Sequence, residues 1–287
     1  MRFIDIAFIV PPEGFADKVI AAQEDDDENI DKHSYVWREC KTSLKQASYD
    51  KCYYCEMKDI RSDGTVDHYR PKSKYKWAAY RFDNFRFACT FCNSRRTDQK
   101  TGEVGGKGAN FPLFEGCVRA TCPEESDNEL PLLLDPCNAA DPDALDYRTD
   151  GATVPKSEIE TDPQRMRAVT SIEAYHLNHS DLQEARRQTA IEIQEKIIEA
   201  EASMKRFTNG DITARQAYSS AIRDLKRRLD QRAELSAFSK RVLQAYRNKE
   251  TYKVKSTGFG LGFRNKKNRR SNFKWIFFNC YTAYYNQ

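Results

Sequence analysis

The sequence predicts an α+β protein, with a cysteine-framed segment of short strands, a loop and one helix ahead of a mainly α-helical C-terminal region. Three observations carry this. Two CxxC pairs, "CYYC" at 52–55 and "CTFC" at 89–92, bracket 33 residues. The apolar runs between and around them are short and rich in aromatics and Lys/Arg, as in short strands rather than long helices. Residues 170–207 then contain neither Gly nor Pro, and a further helical pattern follows a "TNGD" break at 208–211.

The chain has 287 residues, enough for one large domain or two small ones. Apolar residues make up 39% and charged residues 31%, and no run of about 18 apolar residues exists to cross a membrane. The start, "MRFIDIAFIVPPEGF", carries Asp5 within its apolar patch and lacks a small-residue cleavage site, so it reads as a short strand or hydrophobic anchor rather than a signal peptide. Nine cysteines, an odd number in a long chain, fit a reduced cytoplasmic setting better than a disulfide framework. The net charge of +4 is uneven: residues 251–287 hold eight Lys/Arg and no Asp/Glu, while "EDDDE" at 24–28 is the acidic extreme.

In chain order, residues 1–48 form an N-terminal segment ending in an amphipathic helix over 30–48, with Ile30, Tyr35, Val36, Trp37, Cys40 and Leu44 at helical spacing. Residues 49–110 form the cysteine-framed domain, and the Gly-rich stretch 101–115 predicts a flexible loop. Residues 111–163, with three cysteines and six prolines over 116–163, form an irregular connector in which "LPLLLDP" predicts a short strand. Residues 164–250 predict a helical hairpin, with Ser180 or Asp181 as an N-cap and a second helix over roughly 212–249. The tail, 251–287, is basic and aromatic. Lys266, Lys267, Arg269 and Arg270 beside Phe273, Trp275 and Phe277 suit nucleic acid by charge and stacking, or an atypical terminus.

Cys52, Cys55, Cys89 and Cys92 have the spacing of two zinc knuckles. Each CxxC turns two thiolates toward one ion, and two such turns complete a tetrahedron. The gap exceeds that of a simple zinc ribbon, so an insert loops out between them. That insert holds Asp67 and His68, in "VDHYRPK", and Asn84; Asn93 follows Cys92. Of the four histidines, His33, His68, His176 and His179, His68 alone lies within the cysteine frame. His176 and His179, at i and i+3 without a third ligand, read as structural.

The segments "KCYYCE", "VDHYRPKS" and "NFRFACTFCNSRR" resemble the HNH endonuclease family with a four-cysteine zinc frame. The resemblance implies a ββα-metal core. It implies His68 as general base, Asp67 and Asn93 as ligands of a catalytic divalent ion, and Asn84 as the residue that orients the His-bearing strand and loop. The residue types suit phosphodiester hydrolysis. A neutral imidazole takes a proton from water near pH 7. A carboxylate and an amide oxygen suit a hard ion such as Mg²⁺ or Mn²⁺, whereas four thiolates suit Zn²⁺. Arg70, Lys72, Lys74 and Lys76 alternate, so an extended chain places them on one face, and Arg95 and Arg96 follow Asn93 on the expected helix; phosphate contact accounts for both groups.

Residues 40–190 further resemble the HNH subfamily that supplies the nuclease component of Septu-type anti-phage defence systems, some of them retron-associated. That implies a nuclease effector in the cytoplasm with an ATPase partner. Its substrate would be nucleic acid, DNA by family default and RNA by a chemistry that need not see the 2′-OH. The alternative is a non-catalytic zinc-stabilised module that binds nucleic acid or protein.

Overall fold

The computed structural model describes residues 1–25, 29–58 and 63–247. The acidic residues 26–28 and the basic aromatic tail, with Cys280, lie outside the described residues. The chain divides into two units, residues 1–184 and 185–287.

The first unit begins with α1 (Phe15–Glu24), α2 (Tyr35–Arg38) and α3 (Lys41–Ala47). Where one amphipathic helix was expected over 30–48, a 3₁₀ turn at Ile30–His33 and two short helices stand instead. The helix breaks at Glu39–Cys40, yet its apolar face survives: Val36, Trp37, Cys40 and Leu44 are all buried. They pack with Ile4, Ile9, Tyr53, Phe85 and Phe87 in one core. Burying each such side chain contributes about 1.5–3 kcal/mol, so the face decides the packing and the helix axis follows it.

β1 (Thr65–His68) and β2 (Phe85–Ala88) pair antiparallel, with Val66 opposite Phe87, Asp67 opposite Arg86 and His68 opposite Phe85. Alternation sends Val66, His68, Phe85 and Phe87 to one face and Asp67 and Arg86 to the other. The first face meets the α1–α3 core. On the second, Arg86 forms a two-pronged bond to Asp135, at 2.8 and 2.6 Å, and lies over the Tyr69 ring. The one-turn helix α4 (Thr90–Asn93) completes a ββα unit.

The Gly-rich stretch is ordered by close contacts rather than left loose. β3 (Arg96–Thr97) and β4 (Val104–Gly105) form a hairpin, and the chain then folds back on α4. Gly106 has φ +103°, and a Cβ there would lie 2.0 Å from the Ser94 carbonyl oxygen, so only glycine fits. Residues 131–136 are not a strand. Leu133 O and Leu134 O instead accept from the Tyr69 and Tyr175 hydroxyls, and the Leu134 amide donates to Ser171 Oγ. Among the described residues the backbone makes only a single antiparallel bridge, Pro131 to Leu113, with the Leu132 amide on Pro112 O, and side chains satisfy the groups beyond it. β5 (Leu145–Tyr147) and β6 (Thr153–Pro155) form a third hairpin, followed by α5 (Pro163–Ala174).

α6 (Ser180–Thr208) starts where Asp98 accepts from the Ser180 amide and hydroxyl at 2.6 and 2.7 Å. The cap is therefore supplied from 82 residues upstream. Within the second unit, α7 (Ala214–Leu229) runs antiparallel to the later part of α6, with Glu192 paired to Arg228 and Lys196 to Asp224. The expected second helix is two helices, α7 and α8 (Ser236–Arg247). Asp230 breaks it, because its carboxylate accepts from the Arg232 amide at 2.8 Å and so favours a turn over continued helix. The C-terminal region is helical, as the sequence predicts. Among the described residues no helix is long and apolar enough to cross a membrane.

Candidate active site and metal centre

Cys52 and Cys55 sit in the turn before β1, Cys89 follows β2, and Cys92 lies on α4. All four are buried, and their sulfurs lie within 4.8 Å of one another, with Cys55 and Cys89 at 3.8 Å. A tetrahedron with Zn–S bonds near 2.3 Å has edges of about 3.8 Å. Donor type, number and spacing fit zinc.

One cleft of about 440 Å³ is lined by three of the expected residues, Asp67 and His68 from the insert between the knuckles and Asn93 from the end of α4, together with Trp37, Lys72 and Ser94. His68 Nε2 lies 2.9 Å from the Ala79 carbonyl oxygen. A carbonyl only accepts, so Nε2 carries the hydrogen and Nδ1 keeps the lone pair. The ring is wedged edge-on between Trp37 and Phe85, at 5.0 and 5.1 Å between centroids. Burial pushes its pKa down to about 4, against the Ala79 bond and the Asp67 charge, so the ring is neutral near pH 7.

Asn93 Nδ2 donates to Thr65 Oγ1 at 2.8 Å, and Thr65 spends its own hydrogen on Ala88 O. That fixes the amide and leaves Asn93 Oδ1 with no donor among the described residues. Asp67 points to the opposite face of β1 from His68. Tyr54 Oη donates to its Oδ2 at 2.5 Å, and Lys107 Nζ to its Oδ1 at 2.8 Å. Each oxygen keeps a further lone pair. A carboxylate and an amide oxygen are hard donors, the type a divalent ion such as Mg²⁺ takes, and both residues line the cleft.

Asn84 does not line the cleft. Its Oδ1 accepts from the Arg70 amide at 2.8 Å, and its Nδ2 donates to Arg70 O and Ala78 O at 2.9 and 3.0 Å. It thereby ties the exit of β1 to the segment that carries Ala79, the partner of His68. Asn84→Ala removes three hydrogen bonds at roughly 1 kcal/mol each, so a loss of about 3 kcal/mol is expected in urea unfolding of the full chain.

The basic residues divide. Lys72 lines the cleft, 2.8 Å from Asp31 and over the Trp37 ring. Arg70 turns inward, with Nε 2.8 Å from the buried Glu129 carboxylate and Nη2 on Ser126 O. Lys74 is exposed on a turn at 72–74 closed by the Lys74 amide on Pro71 O, so the expected shared face of an extended chain is not formed. Arg95 and Arg96 are exposed but lie beyond α4, which ends at Asn93; Arg96 is in β3 and covers the Phe91 ring.

Two residues of the site went unmarked in the sequence, Tyr54 and Lys107. Lys107 has no exposed side-chain surface, and its Nζ also donates to His68 O at 2.6 Å. Burial pushes its pKa down, opposed by the Asp67 carboxylate. The glycines around it were the available signal, since a chain that must approach other backbone closely needs them.

Residues 52–99 match the family model for the HNH endonuclease. The Septu protein PtuB of Bacillus mycoides (strain KBAB4) is 27% identical over 180 residues, 58% of this chain and 56% of that protein. The chain thus aligns with little more than half the length of its curated relative. The match, the ββα unit and the four-cysteine cluster together make residues 52–99 an HNH endonuclease domain, carried on a chain similar to a Septu protein.

Proposed function

We propose that the protein is a metal-dependent endonuclease that hydrolyses phosphodiester bonds, with DNA the favoured substrate. We further propose that it is the nuclease effector of a cytoplasmic anti-phage defence complex with an ATPase partner. The observation that carries the chemistry is His68: a neutral imidazole, anchored through Nε2–H, with its Nδ1 lone pair unengaged on a ring that lines the cleft. The defence role is supported by the likeness to the Septu protein.

In this reading Nδ1 takes a proton from the attacking water. Asp67 and Asn93 Oδ1 hold the catalytic divalent ion, which supplies charge stabilisation for the phosphate and the leaving oxygen when bound. Asn84 holds the strand and the loop in register so that His68 cannot rotate. Lys72, with the exposed Lys74, Arg95 and Arg96, draws in the phosphate backbone. Arg70 is spent on Glu129 and keeps the loop in place. The four-cysteine zinc clamps the fold and does no chemistry.

The test is cleavage of DNA and RNA with Mg²⁺ or Mn²⁺, alone and with a candidate ATPase, comparing wild type with His68→Ala. The wild type should cut and the variant should not. Equal cutting would remove His68 from the mechanism. No cutting by either protein in any arm would leave the non-catalytic zinc module as the better reading.

A further inference from the structure

Lys107 belongs to no motif of the nuclease centre, yet its ammonium touches two of the centre's residues, Asp67 Oδ1 at 2.8 Å and His68 O at 2.6 Å. The backbone that delivers it is tied to the zinc knuckle. The Lys107 amide donates to Cys92 O at 2.8 Å, and the Gly108 amide to Asn93 O at 2.6 Å. Gly106, whose missing Cβ leaves room for Ser94 O, permits that approach. An ammonium this deeply buried is costly unless a charge compensates it, and Asp67 is the carboxylate it pairs with. Tyr54 fixes the second oxygen of Asp67. Lys107 does not line the cleft, so the carboxylate is gripped from behind.

We propose that Lys107 is a positioning residue, the resident counter-ion of Asp67, which holds the carboxylate in place before a divalent cation arrives and weakens the affinity for that cation. The proposal rests on reading the cleft as a metal-dependent nuclease centre. A cation fixed on Asp67 repels a second one brought to the same carboxylate. A neutral side chain at 107 removes the repulsion but leaves a buried carboxylate without its compensating charge. Metal affinity and metal-free stability therefore move in opposite directions, which a merely space-filling lysine would not bring about.

The experiment uses the full zinc-loaded chain without nucleic acid. Mn²⁺ binding is read by the paramagnetic resonance of the free ion, and thermal unfolding is read without Mn²⁺. Lys107→Met should bind Mn²⁺ at least about tenfold more tightly than wild type and melt lower, while Lys107→Arg stays close to wild type in both. Unchanged or weaker Mn²⁺ binding by a folded Lys107→Met with full zinc content overturns the proposal. Where that variant does not fold, Asp67→Asn/Lys107→Met carries the test. Neutralising both partners must restore the fold if Lys107 serves Asp67, and a double variant that stays unfolded overturns the proposal. A wild type that binds no Mn²⁺ removes the nuclease reading together with the affinity half of the proposal. A wild type that binds it while Lys107→Met gains nothing removes the proposal alone.

Discussion

Replacing Cys52 with serine should unfold residues 52–99 and abolish the cleft. The elements there are too short to stand unaided: two strands of four residues and a helix of four. An isolated two-stranded ribbon is marginal in water, and one helical turn does not repay its nucleation cost. Zinc held by a complete set of protein ligands contributes about 10–16 kcal/mol in small zinc-folded peptides, and that binding energy is folding energy. Losing one of four thiolates forfeits most of it. The measurement is zinc content, expected to fall from one per chain toward none, with hydrogen exchange of the β1 and β2 amides. Cys40→Ala is the control. Burial pushes the Cys40 thiol up to about 12, so it stays protonated, and its Sγ donates to Val36 O inside the core. That variant should cost about 1 kcal/mol, as an ordinary small core truncation, and keep its zinc. If Cys52→Ser retains zinc and protected strand amides, the tetrad is not the clamp.

Why that clamp was legible in the sequence while its neighbour Lys107 was not comes down to sequence distance and residue type. Four soft donors at two identical spacings announce themselves because each pair closes its own local turn. The ββα unit follows, since the insert must bring both turns to one ion. Lys107 reaches Asp67 across 40 residues, within a stretch whose glycines read as looseness. In the fold those same glycines are tightness: at 105 a Cβ would lie 2.1 Å from the His176 ring, and at 106 it would lie 2.0 Å from Ser94 O. The basic run 70–76 misled in the opposite way. Alternation implies a shared face only in an extended chain, and here Pro71 O closes a turn with the amides of Lys74 and Tyr75. The "LPLLLDP" run has strand composition, but its backbone pairing stops at one bridge to Leu113, and the Leu133 and Leu134 groups bond the side chains of Tyr69, Tyr175, Ser171 and Arg167, which no local pattern names. Periodicity carried the C-terminal helices well. It missed the break at Asp230 because a single carboxylate, bonding the backbone two residues on, outweighs the propensity of its neighbours.

His68→Ala should lower the rate of cleavage by about 10²–10⁴, the range for removal of a positioned general base, while leaving one zinc per chain and the α1–α3 core in place. The pH dependence gives a second, sharper expectation. An ordinary histidine titrates near 6.5, and a base of that pKa would lose activity below about pH 7. Burial pushes His68 down to about 4. A divalent cation beside the ring would disfavour the imidazolium in the same direction, so kcat/KM should stay level from pH 8 to about pH 5 and fall only below that. The same shift acts on stability. Above pH 6.5 the ring is neutral in both folded and unfolded chains, and His68 adds no pH dependence. Between pH 6.5 and about 4 the unfolded chain takes up a proton that the fold refuses, so stability falls by about 3 kcal/mol as the pH drops through that window and levels off below it. Alanine at 68 should remove this slope while costing stability at every pH, because Trp37 and Phe85 lose the ring packed between them. The two effects separate in one pair of titrations. An acid limb of kcat/KM near 6.5, in protein shown by circular dichroism to be folded, would mean that His68 is solvated when it works. A urea-unfolding slope equal in wild type and variant would mean that the ring is not held neutral by burial.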